Sequence, residues 1–103
     1  MSVSTHVLDT GRGRPAAGVT VRLERLVAGA WEPVGDGVTD DDGRVARLAT
    51  DTGAGVHRLT FDTAAHSDFY PEVSVTFTIA EPAEHHHVPL LLSPFAYSTY
   101  RGS

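Results

Sequence analysis

The chain has 103 residues, a formal net charge of −5, 41% hydrophobic residues and no cysteine. That length suits a single domain over residues 1–103, burying roughly 60–70% of its unfolded surface, so association with further copies is expected to add to a thin margin. The missing cysteine rules out disulfides and thiolate metal sites, and with no basic run longer than Gly11–Arg14 the chain is not expected to bind nucleic acid. The first ten residues lack an apolar leader core and no apolar stretch approaches membrane-spanning length, so no membrane partner is expected and the cytoplasm is the expected location, with peroxisome and periplasm left open.

Period-two alternation dominates from the start of the chain, and no helical period competes with it. His6 lies in STHVLDT, one residue before an apolar pair, on an expected strand. A turn follows over Gly11–Pro15. Val19, Val21 and Leu23 then alternate with Thr20, Arg22 and Glu24, which predicts a strand with one buried face. Turns are expected at Gly35–Gly37, at Asp40–Gly43 with Arg44 closing TDDDGR, and at Asp51–Gly55. Leu59 and Phe61 share a face with His57 in phase. Residues 63–69 hold the one helix candidate, a turn or two at most. Val73, Val75, Phe77 and Ile79 alternate with Ser74, Thr76 and Thr78, the cleanest strand signal in the chain. Val88–Leu92 is a continuous apolar run, read as a strand buried on both faces or lying at an interface. Ser93-Pro94 marks the last turn. Short strands at this spacing predict an all-β antiparallel sandwich. Trp31 and Tyr97 read as core or interface aromatics.

The polar residues that could carry chemistry gather late in the sequence. Three histidines, His85, His86 and His87, precede the apolar run, and on a strand His85 and His87 would share a face. His85 and His86 read as a solvated polar lead-in, whereas His87, against Val88 and Pro89, should be partly buried and able to take and return a proton near neutrality. His6 alone reads as a rim or core histidine. Arg44 reads as an exposed turn arginine, although its guanidinium suits bidentate recognition of a planar, carbonyl-rich ligand. The chain closes on Tyr100, Arg101, Gly102 and Ser103, an unusual concentration of functional groups for a terminus. Ser103 lacks the strained elbow of a hydrolase nucleophile, so its hydroxyl and terminal carboxylate could only orient a water or a histidine. Arg101 reads as structural.

Taken in order, HVLDT, GRPAAGVTVRLER, TDDDGR, HRLTFDT, FYPEVSVTF and HHHVPLLLSPFAYSTYRGS resemble the 5-hydroxyisourate hydrolases, the transthyretin-like enzymes of urate breakdown. The terminal YRGS is the feature that separates these hydrolases from the hormone-carrying transthyretins. The chain departs from the pattern at AAHSD, shorter than the family's helical segment, and at His86, where an aromatic is common. The resemblance implies a transthyretin-like β-sandwich that assembles as a homotetramer, a dimer of dimers, with active sites in a channel where dimers meet. It places the catalytic residues at His6, Arg44, His87 and Ser103, with His6, Arg44 and Tyr100 binding the substrate, 5-hydroxyisourate. No metal or cofactor is implied.

Those residue types suit water attack on a ring amide: a histidine as base, Arg44 on the carbonyl oxygens, Tyr100 on the ring, and Ser103 orienting the water. Other readings remain at this stage. One is a transthyretin-like carrier of a small ligand without catalysis, another a zinc hydrolase using His6, His85 and His87, and a third a structural sandwich module.

Overall fold

The computed structural model describes residues 2–102. Ten strands follow one another: β1 (Ser2–Asp9), β2 (Arg14–Pro15), β3 (Thr20–Val27), β4 (Ala30–Val38), β5 (Arg44–Thr50), β6 (Gly55–Asp62), β7 (Glu72–Ile79), β8 (His86–His87), β9 (Leu90–Ser93) and β10 (Ala96–Thr99). Among the described residues there is no helix. The candidate over residues 63–69 is a set of turns, with Thr63 O accepting from both His66 N and Ser67 N. AAHSD is too short to repay the nucleation of a helix.

One sheet has the order β4-β3-β6-β7 and is antiparallel throughout. Its inner face carries Val21, Leu23, Leu59, Phe61, Val73, Val75 and Ile79, all buried, while Thr20, Ser74, Thr76 and Thr78 face outward. The alternation of the sequence is the alternation of the pleat. Each fully buried Leu or Phe contributes about 1.5–3 kcal/mol relative to exposure.

The second sheet is organised around β1. Antiparallel β5 and β2 pair with it, and so do parallel β8 and β9, with β10 beyond β9. Val3 and Val7 enter the core from β1, while His6, on the alternate face, is only half-buried. The apolar run that begins at Val88 is divided, because β8 ends at His87 and β9 begins at Leu90. Pro89 has no N–H to donate, so the ladder pauses there. Val88, Pro89 and Leu90 are buried in succession, and only from Leu90 does the run alternate, with Leu91 half-buried between buried Leu90 and Leu92.

A candidate active site on the outer face of β1

The strand register gathers the chemistry. His6 pairs directly with Arg44 across the antiparallel β1–β5 ladder, and Ser4 pairs with His87 across the parallel β1–β8 ladder. One strand therefore holds a guanidinium-bearing residue on one flank and an imidazole-bearing residue on the other. Ser4, Thr5, Arg44, Ala46, His85 and His87 line an open hollow of about 300 Å³, at the lower end of the range for small-molecule sites. His6 lies beside this hollow, opposite Arg44, and does not line it.

Local structure holds each group in place. Gly43 has a left-handed φ of 76°, and a Cβ there would collide with the carbonyl oxygen of Val7. Only glycine turns the chain tightly enough to start β5 at Arg44. Asp40 ties the same turn, its carboxylate accepting from Asp42 N and Arg44 N at 2.9 Å each. His6 Nε2 lies 2.9 Å from the carbonyl of Asp42. A carbonyl only accepts, so Nε2 carries the proton and Nδ1 keeps the lone pair in the neutral ring.

His87 is held from two sides. Its Nδ1 lies 2.7 Å from Ser4 Oγ. On another side the chain terminus returns to it, with Gly102 N donating to His87 O at 2.8 Å. A Cβ at Gly102 would stand 2.5 Å from His87 Cδ2, so the tail backs onto the imidazole only because residue 102 has no side chain. Burial above all, then the Arg44 guanidinium and the rings of His6 and His85, hold His87 below the ordinary imidazole range. The ring is thus kept neutral near pH 7, the form in which one nitrogen can accept a proton.

One expectation changes and one gains detail. His86, expected in solvent, is 5% exposed. It occupies the alternate pleat from His87, beside Val3, and its Nδ1 donates to Glu84 O at 3.1 Å. His85 is exposed yet not free: its Nδ1 lies 2.6 Å from Ser2 Oγ and its Nε2 2.8 Å from Ser4 Oγ. Sequence reasoning missed Ser2 and Ser4. Their spacing with His6 in SVSTHV was the available signal, since alternate strand residues share a face.

Tyr100 is not in this hollow. It is 59% exposed and lines a separate space of about 280 Å³ with Val75, Phe77, His86, Val88 and Thr99. Arg101 reaches the Glu84 carboxylate at 3.6 Å in an exposed pair. Ser103 lies outside the described residues. Among the described residues no group of three or more His, Cys, Asp or Glu side chains is placed to hold a metal.

Comparison with known proteins adds to this geometry. The model of the HIUase/Transthyretin family matches residues 3–102. The 5-hydroxyisourate hydrolase of Mus musculus is 44% identical, with 98% of this chain and 94% of that protein covered. The uric acid degradation bifunctional protein TTL of Arabidopsis thaliana is 46% identical over 98% of this chain, which spans 37% of that longer protein. Among solved structures, 5-hydroxyisourate hydrolase of Klebsiella pneumoniae superimposes with a TM-score of 0.84 at 37% identity, covering both chains fully. Sea bream transthyretin in complex with thyroxine gives a TM-score of 0.89 at 34% identity, covering 99% and 95% of the two chains.

Proposed function

The chain belongs to the HIUase/transthyretin family, and on that premise we propose that it hydrolyses 5-hydroxyisourate in urate breakdown, by water attack on the purine ring amide. The observation that carries this reading is the gathering of Arg44 and His87 in one hollow, with His6 opposite Arg44 on the adjoining strand. A carrier of apolar ligands needs no such polar lining. The thyroxine complex of sea bream transthyretin argues for shared architecture more than for shared use.

In the proposed mechanism, His87 accepts a proton from the attacking water through the ring nitrogen that Ser4 leaves free. General-base assistance of this kind contributes about 10²- to 10⁴-fold. Arg44 grips the ring carbonyls and stabilises the oxyanion, a role worth about 3 kcal/mol for a well-placed donor. His6, with its Nε2 proton committed to Asp42 O, offers Nδ1 to hold the water. The proton on His87 then passes to the departing ring nitrogen.

The active unit in this proposal is a homotetramer in the cytoplasm, with sites in the channel where subunits meet. Several features support assembly. Strand β10 is exposed along its length, and beside it Phe69, Tyr70, Phe95 and Tyr97 form a chain of edge-to-face aromatics with centroids 4.9–5.8 Å apart. Phe95 is 76% exposed, too apolar a surface for a lone subunit to favour. Tyr100 and Ser103 act in this scheme only from the assembled channel, Tyr100 on the substrate ring and Ser103 on the water.

The test is the absorbance decay of freshly generated 5-hydroxyisourate with and without the purified protein. His87→Ala and Arg44→Ala should each slow the catalysed decay by orders of magnitude while sedimentation shows an unchanged assembly. Wild-type rates in both variants would overturn the mechanism, and no acceleration by the wild type would overturn the function.

A further inference from the structure

Four side chains, from β1, from β8 and from the residue before β8, are linked end to end: Ser2 Oγ to His85 Nδ1 at 2.6 Å, His85 Nε2 to Ser4 Oγ at 2.8 Å, and Ser4 Oγ to His87 Nδ1 at 2.7 Å. Every link is a good hydrogen bond, and each interior member has one contact on either side. When Ser4, which is 7% exposed, spends its one hydroxyl proton inside the row, the contacts can be made in two ways, because a neutral imidazole has one N–H. In the first, His87 Nδ1–H donates to Ser4, Ser4 O–H to His85 Nε2, and His85 Nδ1–H to Ser2. His87 Nε2 is then a bare lone pair. In the second, every donor is reversed and His87 Nε2 carries the proton. The two arrangements are the two neutral tautomers of the His87 ring, one offering Nε2 as an acceptor and the other as a donor.

We infer that Ser2, His85, Ser4 and His87 form a proton relay that sets which nitrogen of His87 is protonated and lets that ring take and return a proton without becoming a cation. The inference rests on the reading of this hollow as the site of water attack. In the first arrangement Nε2 takes a proton from the attacking water, breaking its O–H bond as an N–H bond forms. His87 passes its Nδ1 proton to Ser4, Ser4 its hydroxyl proton to His85 Nε2, and His85 its Nδ1 proton to Ser2, which releases one to solvent. The water has lost one proton and the solvent has gained one, with all four side chains neutral. The row now stands in the second arrangement, with Nε2–H ready to donate to the departing nitrogen. A proton re-entering at Ser2 restores the first.

Electrostatics favours this route over charging the ring. Burial and then Arg44 from β5 disfavour a positive charge on His87, and the other titratable groups facing it, His6 from β1 and His85 from the segment before β8, would add to this only when protonated. An imidazolium in this hollow would share it with the Arg44 guanidinium. The relay keeps the proton moving and the charge out. Ser4 and His85 are positioning residues in this scheme, acting on substrate only through His87.

The experiment uses the wild-type protein, Ser4→Ala and His85→Phe. His85 is exposed, so its replacement leaves the core untouched if Ser4→Ala folds poorly. Each is compared by kcat, KM and pH–rate profile, and by the ¹⁵N chemical shifts of His87, which report the protonated ring nitrogen without any turnover. Each variant should lose up to about a hundredfold in kcat at little-changed KM. Their acid limbs should shift relative to wild type, and the His87 ¹⁵N shifts should change as the ring's tautomer is uncoupled from the row. Ser4→Thr, which keeps the hydroxyl, should restore the rate. Unchanged kcat and pH profile in both variants, or an unchanged His87 tautomer, would overturn the relay. An inactive wild type with the ¹⁵N pattern intact would instead count against the proposed reaction and leave the hydrogen-bond order standing.

Discussion

The two sheets use the same residue types to different ends. The four-stranded sheet pairs neighbours in long, nearly unbroken antiparallel ladders, and its outer face carries threonines, a serine and the ion pairs Arg22–Glu72 and Glu24–Arg58. The six-stranded sheet is pieced together from short strands around β1, with a register shift between Val3 and Thr5 and a pause at Pro89. All the candidate catalytic residues within the described chain stand on the irregular sheet or beside it. On the regular sheet side chains meet those of neighbouring strands, as Arg58 meets Glu24 and Trp31. Short strands meeting on one central strand bring distant segments side by side.

That division can be broken from either side. The largest expected effect is on chemistry alone: Arg44→Ala and His87→Ala should lower turnover by about 10²- to 10⁴-fold and leave the urea midpoint near wild type. Phe61→Ala should do the reverse. Phe61 is fully buried on β6, and its truncation should cost about 3–5 kcal/mol, read as a lowered urea midpoint, with the residual folded fraction retaining its specific activity. Gly102→Ala probes the seam between tail and site. Its Cβ would displace the tail or the His87 ring, so kcat should fall by up to about a hundredfold with little change in the urea midpoint. Equal activity in Gly102→Ala would show that the tail's contact with His87 does not position that ring.

The smallest effect is a pH dependence of stability. His57 is fully buried on the regular sheet, its Nδ1 donating to Gly55 O at 2.9 Å and its Nε2 without a partner. Burial first, and Arg25 nearby, hold it below the ordinary imidazole range, although the Gly55 carbonyl pulls the other way. A depressed histidine binds fewer protons folded than unfolded, so stability is fully present above about 6.5, the ordinary imidazole value, and is lost as pH falls below it. Urea midpoints measured from pH 7.5 down to 5 should decline, and less steeply in His57→Phe. A flat profile in the wild type would mean that His57 carries no such linkage.

The sequence alone was sufficient where pattern and contact are the same thing. Val73, Val75, Phe77 and Ile79 read as one face of a strand because the pleat that sorts them is a property of the backbone. It was insufficient for His85 and His86. Both looked like solvated residues ahead of a strand, yet one is bonded to two serines and the other is buried beside Val3. Which pleat faces inward depends on where β8 docks, and nothing within HHHVP states that. Tyr100 shows the same limit: it stands three residues from the terminus, on a tail that returns to His87, and still lies in a different hollow.

What the chain determined unaided was its alternation, hence the all-β core, and the order of motifs that marks its family. These are local properties, written within a few residues by backbone geometry and side-chain polarity. Tertiary structure decided the convergence: Ser4 meets His87 across 83 residues and His6 meets Arg44 across a separate ladder, because β1 lies between them as the shared partner. Hydrogen-bond ladders join any two strands of matching length and polarity, so the choice of partner belongs to the packing of the whole sandwich.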